Sequence, residues 1–140
     1  MVLNKKKIAV SFEFFPPKNQ IAIDSLWNNI RRLEPLKPKF ISVTYGAGGS
    51  TRKNTHNLVK EIKNKTSLEP AAHLTCIGTS FDEIEKIADD YWNTGVRHLV
   101  ALRGDVPIEN QKNKHNDFLY ATDLIEFLKK KHNFEITVSA

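Results

Sequence analysis

Four apolar, strand-like runs in this chain each end on a polar residue able to do chemistry, and a helical segment separates each run from the next. The runs are Val10–Phe15, which carries Glu13; Phe40–Tyr45, which carries Thr44; Ala71–Cys76, which carries His73; and His98–Asp105, which ends on Arg103-Gly104-Asp105. Strands that alternate with helices in this way build a parallel sheet, because parallel neighbours need a long crossover, usually a helix. The carboxyl ends of all the strands then share one rim, where α/β folds keep their active sites. Glu13, Thr44, His73 and Asp105 are therefore expected at one mouth, although they lie far apart in the chain.

The first strand reads from Lys7 to Phe15 and stops at Pro16-Pro17, which cannot continue a sheet ladder. A helix follows over Ile21–Leu33, with Leu26, Ile30 and Leu33 as its apolar stripe. The second strand is Phe40–Tyr45, the loop above it Gly46–Thr51, and the next helix Asn54–Asn64, with Leu58, Val59 and Ile62 inward. The third strand is Ala71–Ile77. Ser80 and Glu83 then stand in capping-box spacing, ahead of an inward face of Phe81, Ile84, Ile87, Ala88 and Tyr91, and Gly95 is the expected C-cap. The fourth strand is Arg97–Leu102. A long polar loop runs to Phe118, a helix takes Tyr120–Lys131 with Leu124, Ile125 and Leu128 inward, and a fifth strand begins at Glu135.

Four β/α units and one further strand make about half of a (β/α)₈ TIM barrel, which needs roughly 250 residues. Left alone, the first and fifth strands would be open edges of a largely apolar sheet, an aggregation hazard. The expectation is that residues 1–140 are the amino-terminal part of a single barrel domain in a longer protein. A flavodoxin-like open sheet of five strands also suits the size, but its ligand sits at one switch point. Chemistry-capable residues at the ends of four successive strands fit a closed ring better.

The single cysteine, Cys76, excludes an internal disulfide and reads as a small buried side chain on a strand. The amino-terminal Asn4-Lys5-Lys6-Lys7 followed by Ile8-Ala9-Val10 imitates a signal peptide, but Glu13 interrupts the apolar stretch. No apolar run reaches the ~18 residues that would span a membrane, so a soluble, cytoplasmic protein is expected, with no membrane partner. The net charge of +5 invites a nucleic-acid reading. Its distribution argues against one: apart from Lys5–Lys7 and Lys129–Lys131 the lysines are scattered, and neither cluster interleaves aromatic residues.

Strand alternation puts Ser11, Glu13 and Phe15 on one face. If that face looks into a barrel mouth, partial burial raises the Glu13 carboxyl pKa and suits it to general acid work. The alternative for Glu13 is a charge that protects an edge strand. Gly104 permits a sharp turn and a close backbone approach, with Arg103 and Asp105 beside it suited to a ligand's phosphate and polar ring edge. His73, inside an apolar run, is by itself more often a hydrogen-bonded core residue than a ligand. No histidine pairs with an acid or thiol at metal-ligand spacing, so no metal site is expected. Gly46–Thr51 resembles a phosphate-cradling nest but lacks both the Gly-x-Gly-x-x-Gly pattern and the Lys-Ser/Thr of a P-loop.

Taken together, Ser-Phe-Glu-Phe-Phe-Pro-Pro-Lys (Ser11–Lys18), Ser-Val-Thr-Tyr-Gly-Ala-Gly-Gly-Ser-Thr-Arg (Ser42–Arg52), His-Leu-Thr-Cys (His73–Cys76) and Ala-Leu-Arg-Gly-Asp (Ala101–Asp105) closely resemble the bacterial methylenetetrahydrofolate reductases. The likeness runs in order along essentially the whole chain. It implies an FAD-containing (β/α)₈ barrel in which NADH, or NADPH, passes a hydride to FAD. The reduced flavin then converts 5,10-methylenetetrahydrofolate to 5-methyltetrahydrofolate for methionine synthesis.

By the same resemblance Glu13 is the catalytic acid, and Asp105 lies beside the flavin and also contacts folate. Thr44 matches a position near the nicotinamide and flavin. Tyr45, Ala47, His73, Arg103, Gly104 and Ala121 match FAD-contacting positions. The Val106–Phe118 loop is longer than in some relatives, and the family's remaining flavin contacts and a substrate-binding glutamine would fall beyond Ala140. The implied full-length protein is a homo-oligomer, and the 140-residue piece alone is expected to be inactive and to bind FAD poorly. Two other readings stay open: a flavin- or pterin-binding barrel enzyme of different specificity, and a non-catalytic half-barrel.

Overall fold

The computed structural model describes residues 8–45, 52–105 and 117–138. Its elements alternate as the sequence pattern dictates: β1 (Phe12–Phe14), α1 (Gln20–Leu33), β2 (Ile41–Val43), α2 (Arg52–Lys65), β3 (Pro70–Thr75), α3 (Phe81–Thr94), β4 (His98–Leu102), α4 (Ala121–Lys131) and β5 (Glu135–Val138). All five strands join one parallel sheet in the order β1-β2-β3-β4-β5.

That order decides between the two architectures. A doubly wound sheet reverses direction at a switch point and places helices on both faces. Here every crossover steps the same way, and crossovers of one hand then put every helix on the same face. The apolar core agrees. Ile41, Val43, Ala72, Leu74, Leu99 and Ala101 project from the strands into one buried cluster with Leu58, Ile62, Ile84, Ala88, Leu124 and Leu128 from the helices. The alternate strand residues, Ser42, His73, His98 and Val100, are buried on the opposite face, outside that cluster. Ser11 and Glu13 beside β2, together with Thr137 and Val138 of β5, line one cavity on that helix-free face, so the two outer strands curl toward each other. The chain has the α/β architecture of a partial (β/α)₈ barrel.

Local chemistry fixes the helix ends. Asn19 caps α1, its side-chain oxygen accepting from the Ala22 N–H at 2.9 Å. Ser80 and Glu83 form the expected capping box on α3, and Gly95 ends that helix at φ +90. The Asp123 carboxylate accepts from the Leu119 and Tyr120 N–H groups at 3.0 and 2.9 Å, holding the start of α4.

Three expectations change. The first two strands are shorter than Lys7–Phe15 and Phe40–Tyr45: among the described residues β1 and β2 register over three residues each, and β2 meets β3 over the same three. Lys7 lies outside the described residues. Phe81, expected on the inward face of α3, is 45% exposed. As the first residue of its helix it packs edge-on against Phe118 and tilted against Phe127, at the surface rather than against the sheet. Leu33 is only half-buried, since α1 gives way there to a 3₁₀ turn, Glu34–Leu36, with proline inside it.

Candidate active site

The helix-free face brings three of the chemistry-bearing strands together. Parallel register pairs Glu13 with Ser42, and Ser42 with Ala71, two residues before His73. Ser42 Oγ donates to Glu13 Oε2 at 3.2 Å, and His73 Nε2 lies 3.1 Å from the same oxygen. The His73 contact has the distance of an ion pair without the alignment of a hydrogen bond, so Nε2 is a buried nitrogen with no aligned partner. Burial pushes the His73 pKa below the ordinary imidazole value, and the Glu13 charge opposes that shift only in part. At neutral pH the ring is therefore uncharged. These side chains line a cavity of about 270 Å³ with Phe40, Val100 and Thr137. Glu13 itself is 52% exposed, so its side chain is about half covered in these five strands.

Thr44 follows β2 on the same face by alternation. Its backbone N–H donates to Phe14 O at 3.0 Å, whereas its buried Oγ1 has no hydrogen-bond partner. A buried hydroxyl left this way costs about 1–3 kcal/mol unless something satisfies it. It marks a place where a bound polar group fits.

Tyr45 is placed differently. Its ring turns to the helix side, packs against the core, and meets His56 Nε2 through its hydroxyl at 3.1 Å. Burial raises its phenol pKa, with Arg52 opposing. Any contact between Tyr45 and a group in the mouth therefore runs through its backbone.

Beyond β4, the Arg103-Gly104-Asp105 turn is held from three sides. Gly104 has φ +82, and a Cβ there would come within 3.0 Å of Thr75 Cβ and Ile77 Cγ2, so glycine is required. Arg103 is exposed, and its Nε donates to Leu119 O at 3.0 Å. The Cys76 thiol, buried as expected, reaches Arg103 O at 3.6 Å and Tyr120 O at 3.5 Å, joining the β4 turn to the start of α4. Asp105 is exposed at the end of this turn, and Ala121 is half-buried as the first residue of α4. Ala47 and the Gly46–Thr51 loop lie outside the described residues.

The sequence reading missed Ser42, His56 and Arg52. Ser42 was within reach, since it stands directly opposite Glu13 once β1 and β2 are set in register. Arg52 Nη2 donates to Thr75 Oγ1 and Ile77 O, both at 3.3 Å, tying the start of α2 to the end of β3. His98, lower on the same face, donates to or accepts from Thr137 Oγ1 at 2.8 Å and packs edge-on against Phe40. Among the described residues no group of three or more His, Cys, Asp or Glu side chains could hold a metal ion. No helix there is long and apolar enough to cross a membrane.

Comparison with known proteins adds to this geometry. The family model described as methylenetetrahydrofolate reductase matches residues 1–140. The 5,10-methylenetetrahydrofolate reductase of Escherichia coli (strain K12) is 52% identical over 134 residues, covering 96% of this chain and 44% of the relative. The protein of the same name from Buchnera aphidicola subsp. Baizongia pistaciae is 47% identical over 136 residues, covering 96% and 45%. Methylenetetrahydrofolate reductase 1 of Schizosaccharomyces pombe is 34% identical over 137 residues, covering 96% of this chain and 23% of the relative. The chain thus spans less than half the length of these relatives.

Proposed function

The chain belongs to the methylenetetrahydrofolate reductase family, and from that premise we propose that it forms the amino-terminal part of a (β/α)₈ barrel that reduces 5,10-methylenetetrahydrofolate to 5-methyltetrahydrofolate, with FAD as cofactor and NADH, or NADPH, as the reductant. The protein would act in the cytoplasm as a homo-oligomer, in one-carbon metabolism and methionine synthesis. The observation that carries this reading is the Glu13 carboxyl on the helix-free face, in contact with Ser42 and His73. When bound, FAD supplies hydride transfer from the nicotinamide to the folate.

The residues present fit such a group. The orphaned Thr44 Oγ1 is a buried polar atom without a hydrogen-bond partner on the face that forms the mouth. The Arg103–Asp105 turn brings backbone, a guanidinium and a carboxylate to the rim. Glu13 in its acid form delivers a proton to the folate as the five-membered ring opens to the iminium, the species that accepts hydride. The Ser42 hydroxyl fixes which carboxyl oxygen faces the cavity. The neutral His73 imidazole packs beside that carboxyl without adding a positive charge. Asp105 supplies negative charge that favours the iminium cation and tunes the bound flavin.

The test is Glu13→Gln in the full-length protein with FAD bound, with the two half-reactions followed separately. Flavin reduction by NADH should persist, while re-oxidation by methylenetetrahydrofolate should fall by about 10²-fold or more. Unchanged re-oxidation would remove Glu13 from the chemistry. Re-oxidation by another pterin but not by this folate would favour a barrel of different specificity. A full-length protein that holds no flavin would favour the non-catalytic half-barrel.

A further inference from the structure

On the helix side of the sheet, behind the end of β2, three rings join in a row. Tyr45 OH meets His56 Nε2 at 3.1 Å, and His56 Nδ1 meets the Tyr91 hydroxyl in a close contact. The rings stack edge-on or tilted, with centroids 5.6 Å apart for Tyr45–His56 and 5.1 Å for His56–Tyr91. Each ring comes from a different segment: the end of β2, α2 and α3. Tyr91 is fully buried. One residue before His56, Thr55 Oγ1 donates to the Thr44 carbonyl at 2.9 Å. Two consecutive residues of α2 therefore grip two consecutive residues at the β2 rim.

The chemistry of the row is specific. A neutral imidazole offers one donor and one acceptor, and each phenol can answer either. Burial pushes the His56 pKa down to about 4, with Lys60 and Arg52 adding to the shift and Asp90 opposing it. Lys60 and Asp90 pair with each other at 2.7 Å, so the charges facing the ring from α2 and α3 largely offset. An apolar side chain in place of His56 would fill the space but leave the Tyr45 and Tyr91 hydroxyls without this partner.

We infer that His56 is a positioning residue, which through Tyr45 holds the Thr44–Tyr45 backbone in the orientation that accepts the flavin. This inference rests on the flavin reading proposed above. His56 acts from the helix layer and leaves the mouth to Thr44, whose unpartnered hydroxyl lies one residue from the clamp.

The test uses the full-length enzyme, stripped of flavin and titrated with FAD, with apoprotein Tm recorded for each variant. In His56→Gln the amide stands near the former Nε2 and keeps its reach to Tyr45. In His56→Asn it stands near Nδ1 and keeps its reach to Tyr91 only. Loss of the Tyr45 contact should raise the FAD Kd about tenfold in His56→Asn, against threefold or less in His56→Gln. Tyr45→Phe should match His56→Asn, and the double variant should be no weaker than either single one. Equal losses for Asn and Gln, losses that multiply in the double variant, or Kd changes that simply follow apoprotein Tm would overturn the inference while leaving the flavin reading intact. A wild-type protein that binds no FAD would overturn the reading itself, and the inference with it.

Discussion

Ser42 and Glu13 face each other across the β1–β2 register, and the serine hydroxyl donates to one carboxyl oxygen at 3.2 Å. That bond selects the carboxyl orientation in a side chain that is otherwise half exposed. Ser42→Ala should slow flavin re-oxidation by folate about three- to tenfold, the worth of one such hydrogen bond. Stopped-flow absorbance of the flavin band reads this directly. An unchanged rate would mean that the carboxyl is oriented by something other than Ser42.

Buried histidines contribute to the response of this fold to acid. His56, His73 and His98 each hold a pKa below the ordinary imidazole value when folded, in every case chiefly because burial disfavours the charged ring. As pH falls, the unfolded chain takes up protons first, near pH 6.5. Stability contributed by the neutral rings is therefore complete above that pH and is lost on acidification, levelling off for His56 below about 4. His56 alone should remove about 2–3 kcal/mol between pH 7.5 and 4.5. Urea unfolding at the two pH values checks this, and His56→Gln should flatten the slope.

Gly104 should not tolerate a side chain. Its φ of +82 strains any L-residue, and a Cβ would press on Thr75 and Ile77 at 3.0 Å. Gly104→Ala should cost about 1–3 kcal/mol and displace Asp105 from the rim. A lowered urea midpoint together with weaker FAD binding is the expected pair of results. A wild-type midpoint would show that the turn can relax.

Ser80→Ala removes the oxygen that accepts from the Glu83 N–H at 3.2 Å and breaks the reciprocal cap of α3. The expected loss is about 1 kcal/mol, seen as a shift in Tm without any change in flavin binding.

What was legible in the sequence was whatever one element could state alone. The inward residues Leu58, Val59 and Ile62 of α2 and Leu124 and Leu128 of α4 follow from helical spacing, and all are buried. The Ser80–Glu83 cap and the Gly95 stop are equally local. Pairwise facts between elements were less readable. Ser42 became relevant only through its register with Glu13, and His56 only through packing of α2 against β2 and α3. The side that Tyr45 takes follows from alternation, which sets its ring with Val43 toward the helices. β1 is shorter than its apolar run because composition does not reveal where the register with β2 ends, here at three described residues.

The sheet order β1-β2-β3-β4-β5 has a consequence for how the chain is made. Each of the four described pairings joins strands that are neighbours in sequence, so none of them has to wait for a distant segment. As the chain leaves the ribosome, each new β/α unit meets a finished template edge on its predecessor, and the sheet can grow in the direction of synthesis. Through most of that time the newest edge is bare, and the nascent protein's exposure to aggregation moves along with it, one strand at a time.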